Sequence, residues 1–173
     1  MPLALLPITV TLASSGALGG AACSSTVDIG VFGGTVCGVT AVAGAQRTNS
    51  SLSVGWVVSG SRLGGMTSGG LGGLDSGMPI GGFAAQLITP LGHNFEPHVA
   101  EEAVEALLEQ SNASGHVTLR RRAGALVSVA TAGTAPRRIV SATFEGGWTL
   151  CAAQYVDCSY EGDLMRLWTR RIR

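Results

Sequence analysis

At 173 residues and 46 % apolar composition, the chain has enough material to bury one core, which excludes a disordered polymer. Its net formal charge is zero and its basic residues are all arginine, so no domain-wide positive field gathers phosphodiester backbones, which argues against nucleic acid as a partner. Charged residues make up only 13 % while glycine reaches 26 residues, mostly before Gly92, which points to close backbone approaches in the first half.

Residues 1–22 hold no charged side chain, and an apolar stretch from Leu3 to Leu12 gives way to small residues. Gly20 and Ala22 occupy the small-residue positions of a secretory leader cleaved after Ala22. No Lys or Arg stands near the start, so an uncleaved or organellar leader and a mis-assigned gene start are the alternatives. Pro7 and the Ser/Gly content argue against a membrane span, which needs roughly 20 predominantly apolar residues. The sequons Asn49-Ser50-Ser51 and Asn112-Ala113-Ser114 fit a secreted chain without adding much weight.

The folded part is expected to begin with Val27 to Phe32, a short apolar strand ending in Gly33-Gly34. Val36 to Arg47, with small residues at Gly38, Ala41, Ala43 and Ala45, reads as the helix that follows. Asn49 to Ser51 breaks it, and Leu52 to Val58 is a second β-prone run, giving a right-handed strand–helix–strand unit with parallel strands. Gly60 to Gly82 is too glycine-rich for a regular element and reads as a loop pressed against a ligand or another backbone. Pro97 opens a helix through Gln110, with Ala100, Ala103, Val104, Leu107 and Leu108 as its apolar stripe and Glu101, Glu102, Glu105 and Glu109 on its wet side.

Strand-like runs follow at His116–Leu119, Ala125–Ala130, Arg138–Phe144 and Trp148–Ala152, separated in part by the turn signals Gly133-Thr134-Ala135-Pro136 and Gly146-Gly147. Those between about Ala125 and Ala152 are expected to form a small antiparallel meander, and Ala153–Cys158 a further strand. Arg166, Arg170, Arg171 and Arg173 mark residues 166–173 as an Arg-rich tail.

Cys23 lies at the cleavage point, which leaves Cys37, Cys151 and Cys158, an odd set with no CxxC pair, so neither a metal site nor a disulfide framework is expected. Cys37 stands at a helix N-terminus, where a thiolate would be stabilised, although a slot that wants a small residue is the plainer reading. His93 and His98 flank the acidic helix at a spacing that matches no metal geometry, and Arg120-Arg121-Arg122 reads as a solvated turn.

The chemistry is concentrated at Gly33-Gly34-Thr35-Val36-Cys37-Gly38. A dinucleotide fold needs a tight turn after its first strand so that helix N–H groups and the positive end of the helix dipole face a pyrophosphate. Gly33 and Gly38 fit the first and third glycines of G-x-G-x-x-G, whereas Thr35 holds the place of the second.

The Gly33-Gly34-Thr35 turn followed by Gly38 resembles the G-G-T-x-x-G turn of the FAD-dependent oxidoreductases related to heterodisulfide reductase A. Leu63-Gly64-Gly65-Met66-Thr67-Ser68-Gly69-Gly70-Leu71, Phe95-Glu96-Pro97-His98-Val99-Ala100-Glu101 and Asp157-Cys158-Ser159-Tyr160-Glu161-Gly162-Asp163-Leu164 resemble that family in the same order. The resemblance spans Val27 to Met165 and implies a Rossmann-like α/β FAD/NAD(P)-binding domain with a parallel central sheet. It implies FAD as cofactor, flavin-mediated electron or hydride transfer, the Gly33–Gly38 turn on the pyrophosphate, and the loop Gly64, Gly65, Met66 and Thr67 beside the ribityl and flavin end. By the same resemblance, Ser159 to Gly162 closes over the cofactor. No catalytic acid or base, substrate or electron partner follows from it.

Two departures stand out. The acidic residue that such folds place at the end of the second strand for the adenosine ribose is missing, its place falling near Val58 with Ser59 and Ser61 as polar neighbours. The resemblance also implies a substrate region and a last strand and helix, which the residues after Leu164 do not supply, so the domain is expected to be incomplete at its C-terminus. The rival readings are a non-catalytic remnant that binds nucleotide weakly or not at all, and an NAD(P)-binding protein without flavin. Relatives can carry a [4Fe–4S] cluster, but the cysteines here form no cluster motif, so none is expected.

Overall fold

The computed structural model describes residues 22–73, 80–134 and 137–170. The leader therefore lies outside the described residues, apart from Ala22, as do part of the 60–82 loop, Ala135-Pro136 and residues 171–173.

The strand–helix–strand unit forms as the periodicity dictates: β1 (Ser25–Phe32), α1 (Val36–Thr48) and β2 (Val54–Val57). β1 sends Val31 to one face of the sheet and Phe32 to the other, since successive strand residues alternate. Val31 joins Val39 and Val42 of α1 with Val54 and Trp56 of β2, whereas Phe32 packs with Val57, Phe144 and Leu150. Val39, Val42, Ala43 and Gln46 recur at helical spacing and form the buried face of α1. The helix ends where Asn49 turns its side-chain oxygen to the amide and hydroxyl of Ser51, at 3.0 and 2.7 Å.

α2 (Gly82–Ile88) was not foreseen, because seven residues burying only Leu87 carry too little periodicity to stand out from a glycine-rich loop. α3 (Pro97–Ser111) starts at Pro97 as expected and buries Ala100, Val104 and Leu107 against α1 and the sheet. Asn112 ends it and accepts the Val117 amide at 2.8 Å, which launches β3 (Val117–Arg120).

The sheet has six strands in the order β3-β2-β1-β6-β5-β4, with β4 at Leu126–Ala132, β5 at Arg138–Phe144 and β6 at Thr149–Asp157. β3, β2, β1 and β6 run parallel; β5 and β4 continue antiparallel from β6. The two strands expected at Trp148–Ala152 and Ala153–Cys158 are one strand. Its first residues pair with β5 (Thr143↔Thr149, Ser141↔Cys151), while its whole length follows β1 from Ser25↔Leu150 to Phe32↔Asp157. No turn residue interrupts it, so one strand serves both the meander and the parallel sheet.

On the meander face Leu150 and Tyr155 lean over the sheet at positions that only glycine leaves open. A Cβ on Gly30 would stand 2.8 Å from the Tyr155 ring, and one on Gly55 3.1 Å from Leu150. Burial pushes the Tyr155 phenol above its ordinary pKa, and its hydroxyl donates to the Leu150 carbonyl at 2.6 Å. The Arg-rich end contains helix α4 (Asp163–Arg170), whose Leu164 and Leu167 cover the second core. None of the helices among the described residues is long and apolar enough to cross a membrane.

The cysteine expectation is corrected. Cys23 pairs with Cys151 and Cys37 with Cys158, with Cα separations of 5.7 and 5.4 Å. Setting Cys23 aside left an odd number; parallel pairing of β1 with β6 brings it beside a residue 128 positions away.

Candidate functional site

The carboxyl ends of β1, β2 and β6 meet at a cleft of about 360 Å³, walled by Phe32 to Thr35, by Val58 to Gly60 with Arg62, and by Ser159 to Glu161. Open α/β sheets bind ligands outside these strand ends. The sheet order, with β1 between β2 and β6, therefore brings three separated stretches of sequence to one place.

Gly33 leaves β1 at φ +114°, a conformation that favours glycine, and a Cβ there would collide with the Cys158 backbone. Its amide donates to Val57 O at 3.0 Å and its carbonyl accepts the indole N–H of Trp56 at 2.8 Å. A Cβ on Gly34 would stand 2.6 Å from Val58 Cγ1. One on Gly38 would meet the Gly33 carbonyl and lie 2.7 Å from Trp56 Nε1. The turn is thus packed tightly onto β2 and the end of β6, and its glycines are required by that packing.

Thr35 is the N-cap of α1 at φ −84°, ordinary extended backbone that needs no glycine. Its hydroxyl does not cap the helix but donates to the Cys158 carbonyl at 2.9 Å. Among the described residues no side chain caps α1, no acidic residue lies in its first turn, and its opening turn borders the cleft through Thr35. Val36 and Cys37 are its first two residues, Val36 half-buried against the first core and Cys37 exposed. A 13-residue helix whose positive end meets no side-chain cap among the described residues fits a diphosphate.

The Gly64–Thr67 loop lies against this turn. Gly64 donates to Gly34 O at 2.7 Å, and Gly64 and Gly65 adopt φ of +101° and +60°. The Tyr160 phenol closes over Gly65, accepting the Met66 amide at 2.6 Å, while the Met66 side chain is exposed and Thr67 is buried. Ser68, given no role from sequence, is fully buried and donates its hydroxyl to the Leu63 carbonyl.

Gly162 turns the chain into α4 at φ +63°, and Ser159 is held by a residue to which the sequence alone assigns no role. Asp157 accepts the Ser159 hydroxyl at 2.6 Å and amide at 3.1 Å, and the α4 amides of Leu164 and Met165 at 2.9 and 3.2 Å. The Ser159 oxygen in turn accepts the Asp163 amide at 2.9 Å. Its hydroxyl is therefore spent within the loop, and the wall it builds is what the cleft receives. An Asp two residues before a Ser at the mouth of a helix is the local signal for such a cap. Trp56 was likewise missed, for nothing local marks a strand tryptophan as the floor of a turn.

The ribose end lacks a carboxylate on β2, as expected: Val58 is buried and Ser59 is exposed beside the cleft. The arginine triplet is exposed at and just past the end of β3. Arg120 stacks 4.4 Å from the Trp148 ring centroid and Arg121 contacts Glu105 at 2.7 Å. His98 lies 3.3 Å from Glu96, and both are exposed.

A family model described as FAD dependent oxidoreductase matches residues 28–168. No curated protein matches the chain. Among solved structures, Thermovibrio ammonificans THI4 superposes with a TM-score of 0.57 at 11 % identity, covering 84 % of this chain and 62 % of that one. The myxobacterial chondrochloren halogenase CndH, described as a variant of FAD-dependent halogenases, gives 0.53 at 17 %, covering 78 % and 37 %. Cyclohexanone monooxygenase bound to ε-caprolactone gives 0.51 at 16 %, covering 78 % and 27 %. The chain spans less than two thirds of the length of each, and at these identities the likeness establishes the fold alone.

Proposed function

The chain belongs to the FAD-dependent oxidoreductase family, and on that premise we propose that it is the dinucleotide-binding portion of a flavoprotein that transfers electrons or hydride. The observation that carries this reading is the uncapped N-terminus of α1 at the cleft where β1, β2 and β6 end. Bound flavin supplies the redox chemistry; the protein binds and orients it and limits access of water.

In this reading Gly33, Gly34, Thr35, Val36, Cys37 and Gly38 form the diphosphate cradle. Gly64, Gly65, Met66 and Thr67 continue the site toward the flavin, and Ser159 to Gly162 form its outer wall. The finer kinship with heterodisulfide reductase A is supported by the four ordered stretches between Gly33 and Leu164. Export is supported by the uncharged leader together with two disulfides, which persist in oxidising compartments.

A second reading, a remnant that binds nucleotide weakly, is favoured by one observation: no carboxylate stands at the end of β2. A gain-of-binding variant tests both. Ser59 is exposed beside the cleft, so Ser59→Glu supplies a ribose acceptor without disturbing the core. FAD and ADP titrations are expected to show measurable binding by the native chain and roughly tenfold tighter binding by the variant, the scale of a charge-assisted hydrogen bond. Absence of binding in both proteins would sink the flavoprotein reading.

A further inference from the structure

The cleft is stitched by a cysteine pair whose disulfide bond has no part in the proposed cofactor site, where Cys37 serves only as a residue of the diphosphate cradle. Cys37 is the second residue of α1 and exposed; Cys158, just past β6, is 3 % exposed. Their disulfide joins the first turn of the helix to the strand end from which the Ser159–Gly162 wall departs. The other disulfide is placed differently, since Cys23 precedes β1 and Cys151 lies within β6, so neither sulfur stands in the first turn of a helix.

We propose that Cys37–Cys158 is a dithiol–disulfide exchange site whose oxidation state sets the dinucleotide affinity of the cleft. The second half of this statement rests on the flavoprotein reading; the first does not. A thiolate of an external dithiol attacks the accessible Cys37 Sγ, the Cys37–Cys158 bond breaks, and Cys158 leaves with the electron pair and takes up a proton. The second thiolate of the dithiol then attacks its own sulfur now bound to Cys37, closing the external disulfide and releasing Cys37. Two electrons and two protons pass from the dithiol to the protein, and an external disulfide reverses the sequence.

Position makes Cys37 the reactive member. Access decides the first attack, since Cys37 is exposed and Cys158 buried, and in the second step the departing thiol is Cys37, whose thiolate the helix N-terminus stabilises. Nothing comparable serves Cys23 or Cys151. The same position couples the reaction to the cleft, because a Cys37 thiolate places negative charge on the helix end that the diphosphate would use, and two anions then compete for one dipole. Reduction also removes the covalent tie beneath the outer wall, leaving hydrogen bonds alone, among them Thr35 to Cys158, to hold it to the turn.

The test uses the full chain. After equilibration in graded dithiothreitol buffers and alkylation, mass spectrometry is expected to find Cys37–Cys158 open at reductant levels where Cys23–Cys151 stays closed. ADP titrations are expected to give roughly tenfold weaker binding to the reduced protein, with a deficit that grows as pH rises and the thiolate forms. Cys158→Ser, which frees Cys37, is expected to show ADP binding that weakens as pH rises, whereas the Cys37→Ser/Cys158→Ser double variant, which also lacks the covalent tie, is expected to bind ADP with an affinity that does not change with pH. Simultaneous opening of both disulfides would overturn the exchange site, and identical ADP pH profiles for the two variants would overturn the coupling. If neither redox form binds ADP or FAD, the cofactor reading and the coupling both fail, and the alkylation result still decides the exchange site.

Discussion

The indole Nε1 of Trp56 donates to the carbonyl oxygen of Gly33 across 2.8 Å, so the second strand holds the turn that follows the first. Trp56 is fully buried, and Gly38 passes directly over it. The tryptophan thereby fixes the height of α1 above the sheet and the direction in which its N-terminus points.

Trp56→Phe removes this donor and leaves a buried carbonyl and a small void. The expected loss is about 2–4 kcal/mol, combining an unsatisfied acceptor with lost packing. Urea unfolding of the two proteins measures it, and a loss below about 0.5 kcal/mol would show that the bond does not anchor the turn.

Asp157→Ala deprives the wall of the cleft of the carboxylate that gathers four donors from Ser159, Leu164 and Met165. Removing a cap of this kind is expected to cost about 1–2 kcal/mol and to weaken FAD binding by loosening residues 159–162. Asp157→Asn keeps an acceptor and is expected to lose roughly half as much. Equal stability of Asp157→Ala and the native protein in thermal unfolding would contradict this role.

Asp28 provides a pH-dependent clamp between β1 and the start of β2. The Ser53 hydroxyl and amide donate to Asp28 Oδ2 at 2.6 and 2.8 Å, which holds the carboxyl below its ordinary pKa. A depressed carboxyl contributes stability above its unfolded pKa of about 4 and loses it as pH falls through the folded value. The side chain is only partly buried, so the contribution is expected to stay near or below about 1 kcal/mol. Asp28→Asn should therefore melt slightly earlier than the native protein near neutral pH, with the gap closing in acid; a gap that widens in acid would reverse the sign of the argument.

Much of the site's outline was legible in the residues. Gly33-Gly34 after an apolar run, the small residues of α1 and Pro97 before an amphipathic stretch are local signals, and each marks the element it should. Thr35 could not be interpreted locally: it departs from the glycine pattern, and only the Cys158 carbonyl at 2.9 Å explains where its hydroxyl goes. Ser159 shows the converse, a residue assigned to the cofactor whose hydroxyl is committed to Asp157 and the Asp163 amide.

The sequence by itself determined the first strand–helix–strand unit, the glycine turn and α3, because hydrophobic period and backbone freedom act over a few residues. Tertiary structure alone decided that β6 is a single strand beside β1, that both cysteine pairs close, and that Trp56 lies beneath the turn. Parallel pairing joins Ser25 to Leu150 across the domain. Such a partnership is chosen by the packing of whole faces, and no local pattern encodes it.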